Sequence, residues 1–350
     1  MTNHSSQFRL KATGIGSVPW TDINRTCSTI LKQLPHIPFW PQFVQRSYFE
    51  DMIVQFSEGL PSLQIHGNEK RLTAHLDNVE SELVTFYDHY LKDDLDYFAI
   101  SREYACGLSE MVRLISQEPD RYGPYIKGQT VGPVTFAAAI KDPDGFSIIH
   151  HPDLVEATTK GLAMKALWQV KELSKTTKKP IIFIDEPYLS GFGSAFSPIE
   201  RDDVIRLLKE VIDYLRDKSD ACIGIHCCGN TDWSMIIETG PDILNFDAFS
   251  YMDYFLLYPE DITRFIQNGG TIAWGIVPTS DFSGNETIEG LFAKLKQGLA
   301  RLYEWGLEPV TIANQSLLTP ACGLGTMDPV DSEKVLNLLS GLSRRCHDLD

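Results

Sequence analysis

Short runs dense in β-branched and aromatic residues alternate along this chain with longer stretches whose apolar positions recur at a helical period. The β-like runs fall at residues 9–17, 97–101, 125–130, 180–185, 222–228, 243–247, 271–277 and 310–314. Helical patterns occupy residues 152–176, 201–218, 286–305 and 329–342. Ser197-Pro198-Ile199-Glu200 reads as a capping box with proline at the first helical position, and it opens the second of these helices. Asn285 precedes the third and Gly306 would end it; Asp328 with Pro329 starts the last. Eight strands separated by helices is the count an α/β fold of the TIM (β/α)8 barrel type requires. No low-complexity linker or short repeat divides the chain, so residues 1–350 are expected to form one barrel domain.

Residues 35–95 depart from the alternation. The stretch is long for one crossover and carries the segments HIPFWPQF and GLPSLQIHG. It reads as an insertion after the first strand, covering the barrel mouth, with a short hairpin and a helix near residues 71–92.

Composition narrows the function. The 350 residues are 43% hydrophobic and 22% charged, ordinary for a globular protein, with a net charge of -16. That acidity argues against a grip on nucleic-acid backbones and against anionic membrane surfaces. No signal-type segment opens the sequence, and no run of about 18 apolar residues suggests a spanning helix. The seven cysteines are odd in number, which in this setting reads as reduced thiols in a cytoplasmic protein.

The chemistry gathers at strand ends, where barrel active sites lie. Ile225-His226-Cys227-Cys228-Gly229-Asn230 closes the fifth run. Alternation turns His226 and Cys228 to one side and Cys227 to the other. An imidazole and a thiolate so placed can reach one tetrahedral Zn2+. Thr319-Pro320-Ala321-Cys322-Gly323-Leu324-Gly325 follows the eighth run, and its Cys322 could complete a His-Cys-Cys set. Asp247 ends the sixth run as a fourth, displaceable ligand, as a partner orienting His226, or as a member of a rim hydrogen-bond network. Asp185, after an apolar strand, suits a substrate ammonium, and Glu186 beside it points elsewhere. Gly14-Ile15-Gly16-Ser17 ends the first run with accessible N–H groups and a hydroxyl, which could hold a carboxylate. Lys127-Gly128-Gln129-Thr130-Val131-Gly132-Pro133 forms another tight turn at the mouth, without an assigned partner.

Taken in order, GIGSVP, KGQTVGP, IFIDEP, IHCCGN, NFDA and TPACGLGT resemble the catalytic domain of cobalamin-independent methionine synthases. That domain belongs to the barrel superfamily that includes uroporphyrinogen decarboxylase, and this chain resembles a short, single-barrel form. The resemblance implies zinc held by His226, Cys228 and Cys322, with Asp247 where the family usually has glutamate; these four would be the catalytic set. It implies Ser17, with Ile15 and Gly16, at the homocysteine carboxylate and Asp185 at its amino group. A further family glutamate has no match in register, where Arg46, Ser47, Tyr48 and Glu50 stand. The implied activity is methyl transfer to a small thiol, homocysteine giving methionine in methionine biosynthesis. The folate-using enzymes carry a second, N-terminal barrel, so the expected donor is a methyl-corrinoid, either methylcobalamin or a corrinoid protein.

Other readings stay open. The His-x-Cys-Gly-Asn wording also resembles methylcobalamin:coenzyme M methyltransferases. A uroporphyrinogen-decarboxylase-like enzyme would share the fold without a metal, although no arginine-rich motif lies near the first strand. A non-catalytic, zinc-stabilised thiol-binding protein would need a closed four-ligand site.

Overall fold

The chain folds around a parallel sheet whose strands are short and almost wholly buried. A computed structural model describes residues 8–193 and 199–347. The strands are β1 (Lys11–Ala12), β2 (Leu63–His66), β3 (Arg71–Ala74), β4 (Tyr125–Val131), β5 (Lys179–Asp185), β6 (Cys222–Cys227), β7 (Ile243–Phe246), β8 (Thr271–Val277) and β9 (Ser316–Pro320). Among the described residues, seven of them form one sheet in the order β1-β9-β8-β7-β6-β5-β4, every pair parallel. β2 and β3 pair separately as an antiparallel hairpin.

Alternation along these strands sorts the core into two parts. Ile182, Ile184, Ile223, Ile225, Leu244, Phe246, Ile272 and Trp274 join the large cluster that faces the helices. Phe8, Ile181, Phe183, Cys222, Ile243, Ala273 and Leu317 form a smaller cluster on the other face, the sheet interior. Parallel strands covered on both faces must be apolar in nearly every position, which is why the expected runs at 125–130, 180–185, 222–228, 243–247 and 271–277 coincide with β4 to β8.

Three expected strands come out differently. Residues 97–101 are turn and irregular chain, with Phe98 and Ile100 buried as ordinary core residues. Residues 310–314 lie in the helix Pro309–Asn314, because Pro309 takes the first helical position and overrides the β-branched run; the strand is β9, just after it. Of residues 9–17 only Lys11 and Ala12 form a ladder, since Arg9 and Leu10 adopt positive φ of 48° and 55°. A full eight-stranded barrel ladder is therefore not seen.

The gap between β1 and β4 is met by residues 38–42, inside the expected insertion. Isolated bridges pair Ser17 with Gln42 and Phe39 with Lys127. Trp40 N donates to Lys127 O at 3.2 Å, and Gln42 N to Gly16 O at 3.0 Å. Pro38 and Pro41 interrupt this segment. They fall where no donor is needed, because the N–H groups used belong to Trp40 and Gln42. The hairpin and the expected helix follow, the latter at Val79–Leu91; Ala74 N ties the hairpin to Lys141 O at 2.8 Å.

The helices stand near their expected places, at Pro152–Ser174, Arg201–Lys218, Ile288–Glu304 and Pro329–His347. Thr287, not Asn285, caps the third through a bond from Gly290 N at 3.2 Å. Ser197 and Pro198 of the expected capping box lie outside the described residues. No helix among the described residues is long and apolar enough to cross a membrane.

Trp40 is wholly buried, and its Nε1 donates to Gln169 Oε1 at 3.2 Å. Trp40→Ala is expected to lower stability by about 3–5 kcal/mol, read as a reduced urea midpoint.

Candidate metal centre

Because the sheet is parallel, strand carboxyl ends share one rim, and register decides which side chains stand together. Asp185 is opposite His226, and His226 is opposite Asn245. The three therefore stand side by side on the interior face, at one height.

One ligand atom each from His226, Cys228 and Cys322 lies within 4.8 Å of the other two. His226 is the penultimate residue of β6, Cys228 lies just past that strand, and Cys322 lies two residues past β9. The remaining cysteine of the motif, Cys227, is buried in the helix-facing core with its Sγ 3.7 Å from Gly229 O. Alternation alone accounts for this split.

The orientation of His226 is set by a neighbour that sequence reasoning missed. Asn245 Nδ2 donates to Ala273 O at 2.9 Å and to Thr319 Oγ1 at 2.8 Å. A backbone carbonyl can only accept, so the amide nitrogen must face it and Oδ1 must face His226. The His226 Nδ1 to Asn245 Oδ1 distance is 2.5 Å, and Nδ1 is accordingly the protonated nitrogen. Nε2 is left with a lone pair for a metal, the arrangement that metal-binding histidines commonly use.

The two thiols behave as a pair. Cys228 is drawn well below the ordinary thiol range, first by a hydrogen bond from Cys322 and next by His226. Cys322 is correspondingly raised, by the same bond and by burial. One nitrogen and two sulfur donors, preorganised and largely buried, fit a metal ion of the thiolate-preferring kind.

Asp247 stands just past β7 and does not belong to the trio. Its Oδ1 accepts from Ser250 N at 2.9 Å as the N-cap of the helix Ala248–Phe255. Burial raises its pKa despite that bond.

The other rim groups sort by whether their atoms are taken. Glu186 accepts from Val134 N at 2.9 Å and from Thr135 N at 2.8 Å, which ties it to the start of the helix Pro133–Ala139. Asp185 is buried, and its Oδ1 has no partner among the described residues. Burial pushes its pKa up to about 6, against the charges of Lys127 and His226. Glu50 is taken: it accepts from Phe43 N at 2.8 Å and from Cys106 Sγ at 2.9 Å.

Ser17 meets the loop that carries Cys322. Leu324 N donates to Ser17 O at 2.9 Å and Gly325 N to Ser17 Oγ at 3.2 Å. A Cβ at Gly323 would lie 2.2 Å from Ser17 Oγ, so only glycine permits this approach. Ile15 and Gly16 are buried beside it. A cavity of about 1110 Å³ lined by Lys11, His36 and Arg344 lies at the amino-terminal end of the sheet, away from the trio.

These features define a class: an α/β protein of TIM-barrel-like architecture with a His-Cys-Cys centre able to bind a metal at the strand carboxyl ends. A scan of protein-family models finds no match, and a search of curated proteins finds none either. Solved structures do match. One is a B12-independent methionine synthase from a Shewanella species in complex with selenomethionine, with a TM-score of 0.61 at 15% identity. The match covers 97% of this chain and 98% of that one. A second, described as a putative vitamin-B12 independent methionine synthase from Listeria monocytogenes, gives a TM-score of 0.54 at 14% identity, with the same coverage. Over nearly its whole length, this chain shares the fold of these proteins.

Two outcomes are expected. Asn245→Ala frees the His226 ring and lowers metal affinity by about 10–100-fold, measured by competition with a chromophoric chelator. Glu186 behaves differently. Burial holds its pKa up at about 7 from an ordinary 4.5, so the folded state binds its proton more tightly than the unfolded chain. Stability from this group is then lost as pH rises from about 4.5 to about 7. Glu186→Gln should flatten that part of the curve of urea midpoint against pH.

Proposed function

We propose that this chain is a zinc-dependent methyltransferase that moves a methyl group to a small thiol, homocysteine being the acceptor its rim suits. The observation that carries the reading is the His226-Cys228-Cys322 trio, with the His226 tautomer held by Asn245. A nitrogen and two thiolates select zinc over harder cations, and three protein ligands leave a fourth position. Zinc bound there would lower the pKa of an acceptor thiol, so that it is presented as the nucleophilic thiolate.

The chain's own groups do the rest. Asp185 Oδ1, buried and lacking a partner, accepts from the acceptor's ammonium. Ser17, with Ile15 and Gly16, holds the carboxylate. Fixing both ends leaves the sulfur one direction in which to point. Asp247 supplies negative charge beside the trio, and its direct ligation would require it to give up the bond from Ser250. The S–CH3 bond forms as the donor's bond to the methyl breaks, that electron pair staying with the donor; the thiol proton leaves to solvent. The excursion of residues 35–95, beyond the segment 38–42, is assigned as a cover over this mouth.

The fold shared with a protein solved in complex with selenomethionine, a methionine analogue, supports an amino-acid ligand. For the donor we favour a methyl-corrinoid. A second reading, a folate donor, is favoured by one observation: the two methionine synthase structures described above are named as B12-independent and are covered over 98% of their own length.

The test is methyl transfer to homocysteine from methylcobalamin and from methyltetrahydrofolate in parallel, with zinc quantified on the same sample. Stoichiometric zinc and methionine formed from either donor are expected. Cys322→Ala should lower zinc affinity by more than the ~10–100-fold typical of an outer partner, and methylation with it. Chelation should abolish methylation while far-UV circular dichroism stays unchanged. Unfolding on chelation would favour a zinc-stabilised scaffold, and metal-free protein with full activity would sink the proposal.

A further inference from the structure

Lys127 stands on β4 with its side chain in the sheet interior, wholly buried. A buried ammonium is costly unless its hydrogen bonds are made. Its Nζ lies 4.7 Å from the centre of the Phe183 ring and donates to Gln129 Oε1 at 3.1 Å. It also donates to the backbone carbonyl of Ile15. Burial lowers its pKa to about 8, with the nearby Asp185 charge opposing the drop.

Ile15 opens the turn Ile15-Gly16-Ser17, and the other two carbonyls of that turn are also tied. Gln42 N donates to Gly16 O at 3.0 Å, and Leu324 N to Ser17 O at 2.9 Å. Among the described residues the N–H groups of Gly16 and Ser17 make no backbone hydrogen bond. The turn has committed its acceptors and kept its donors, as an anion-binding backbone nest does. The planar peptide makes the link direct, because a carbonyl drawn toward Lys127 turns the N–H of Gly16 the opposite way.

We propose that Lys127 is a positioning residue for the acceptor's carboxylate: it anchors the Ile15 carbonyl and so fixes the direction of the Gly16 N–H, as Gln42 does for the Ser17 N–H through the Gly16 carbonyl, and its charge attracts the anion. This rests on the thiol-methyltransferase reading above. Asp185, whose Oδ1 has no partner among the described residues, is the place for the ammonium. Lys127 and Asp185 together thus orient an α-amino acid by its dipole and discriminate against thiols that lack one.

The experiment uses cobalt-substituted protein and reads the thiolate-to-cobalt absorption band during titration with homocysteine and, separately, with mercaptoethanol, which has neither carboxylate nor amine. In Lys127→Met and Lys127→Gln, homocysteine binding should weaken by about tenfold or more, as expected for the loss of a charge-assisted contact. Mercaptoethanol affinity and cobalt stoichiometry should match wild type, which also shows that the centre has folded. Equal weakening for both thiols in both variants would make Lys127 a general structural residue and overturn the inference, as would unchanged homocysteine affinity. A wild-type protein that binds mercaptoethanol but not homocysteine overturns it too. Should the wild-type band be left unchanged by both thiols, the methyltransferase reading fails, and the inference with it.

Discussion

The lateral alignment of Asp185, His226 and Asn245 across β5, β6 and β7 is the constraint on which the rest of the site depends. Parallel pairing fixes which residues stand abreast, and a slip of one residue would turn each side chain to the opposite face. With the alignment in place, one asparagine amide spans three strands. It is held by Ala273 O and Thr319 Oγ1 and in turn holds the imidazole of His226. The tautomer of the histidine is thus a consequence of sheet register, and no feature of β6 alone would set it.

The interior around this row is unusually polar for a sheet core, and the polar groups divide by their partners. Glu186 has both oxygens engaged by the start of a helix, and Asn245 has both ends of its amide engaged. Such groups rigidify the rim because their bonds are made, although for Glu186 burial still outweighs those bonds. Asp185 Oδ1 is the contrasting case, a buried acceptor without a donor beside the trio. Desolvation of that kind is destabilising, and it persists in folded proteins where a ligand supplies the missing partner.

Much of this was legible from residue order, and what was not has physical causes. Central parallel strands are covered on both faces, so they appear as short apolar runs, and a carboxylate or thiol at their ends marks the rim. The trio followed from alternation on β6 and from a cysteine flanked by turn formers after the last strand. The segment 38–42 was hidden because prolines usually signal loops, and only hydrogen-bond partners show that Pro38 and Pro41 sit where donors are not needed. Residues 310–314 misled in the opposite sense, since a β-branched run can form a helix when proline occupies its first position. Asn245 lay in plain view between two apolar residues. Its role depends on which residues face it from β6, β8 and β9, and that is information about pairing that no single segment contains.

The loop after β9 shows how these constraints combine. Cys322 reaches the trio only because its loop folds back onto Ser17, with Leu324 N and Gly325 N both donating to that residue. The same bonds hold the turn after β1, whose carbonyls are taken by Gln42, Leu324 and Lys127. A small displacement of the loop would therefore disturb two things together: the place of Cys322 in the trio and the turn that carries Ser17. Coupling of this kind ties the position of Cys322 to that of Ser17 through the hydrogen bonds between their two loops. It gives Gly323 a reason that propensity does not, since a side chain there would collide with the Ser17 hydroxyl and pull both halves of the site apart.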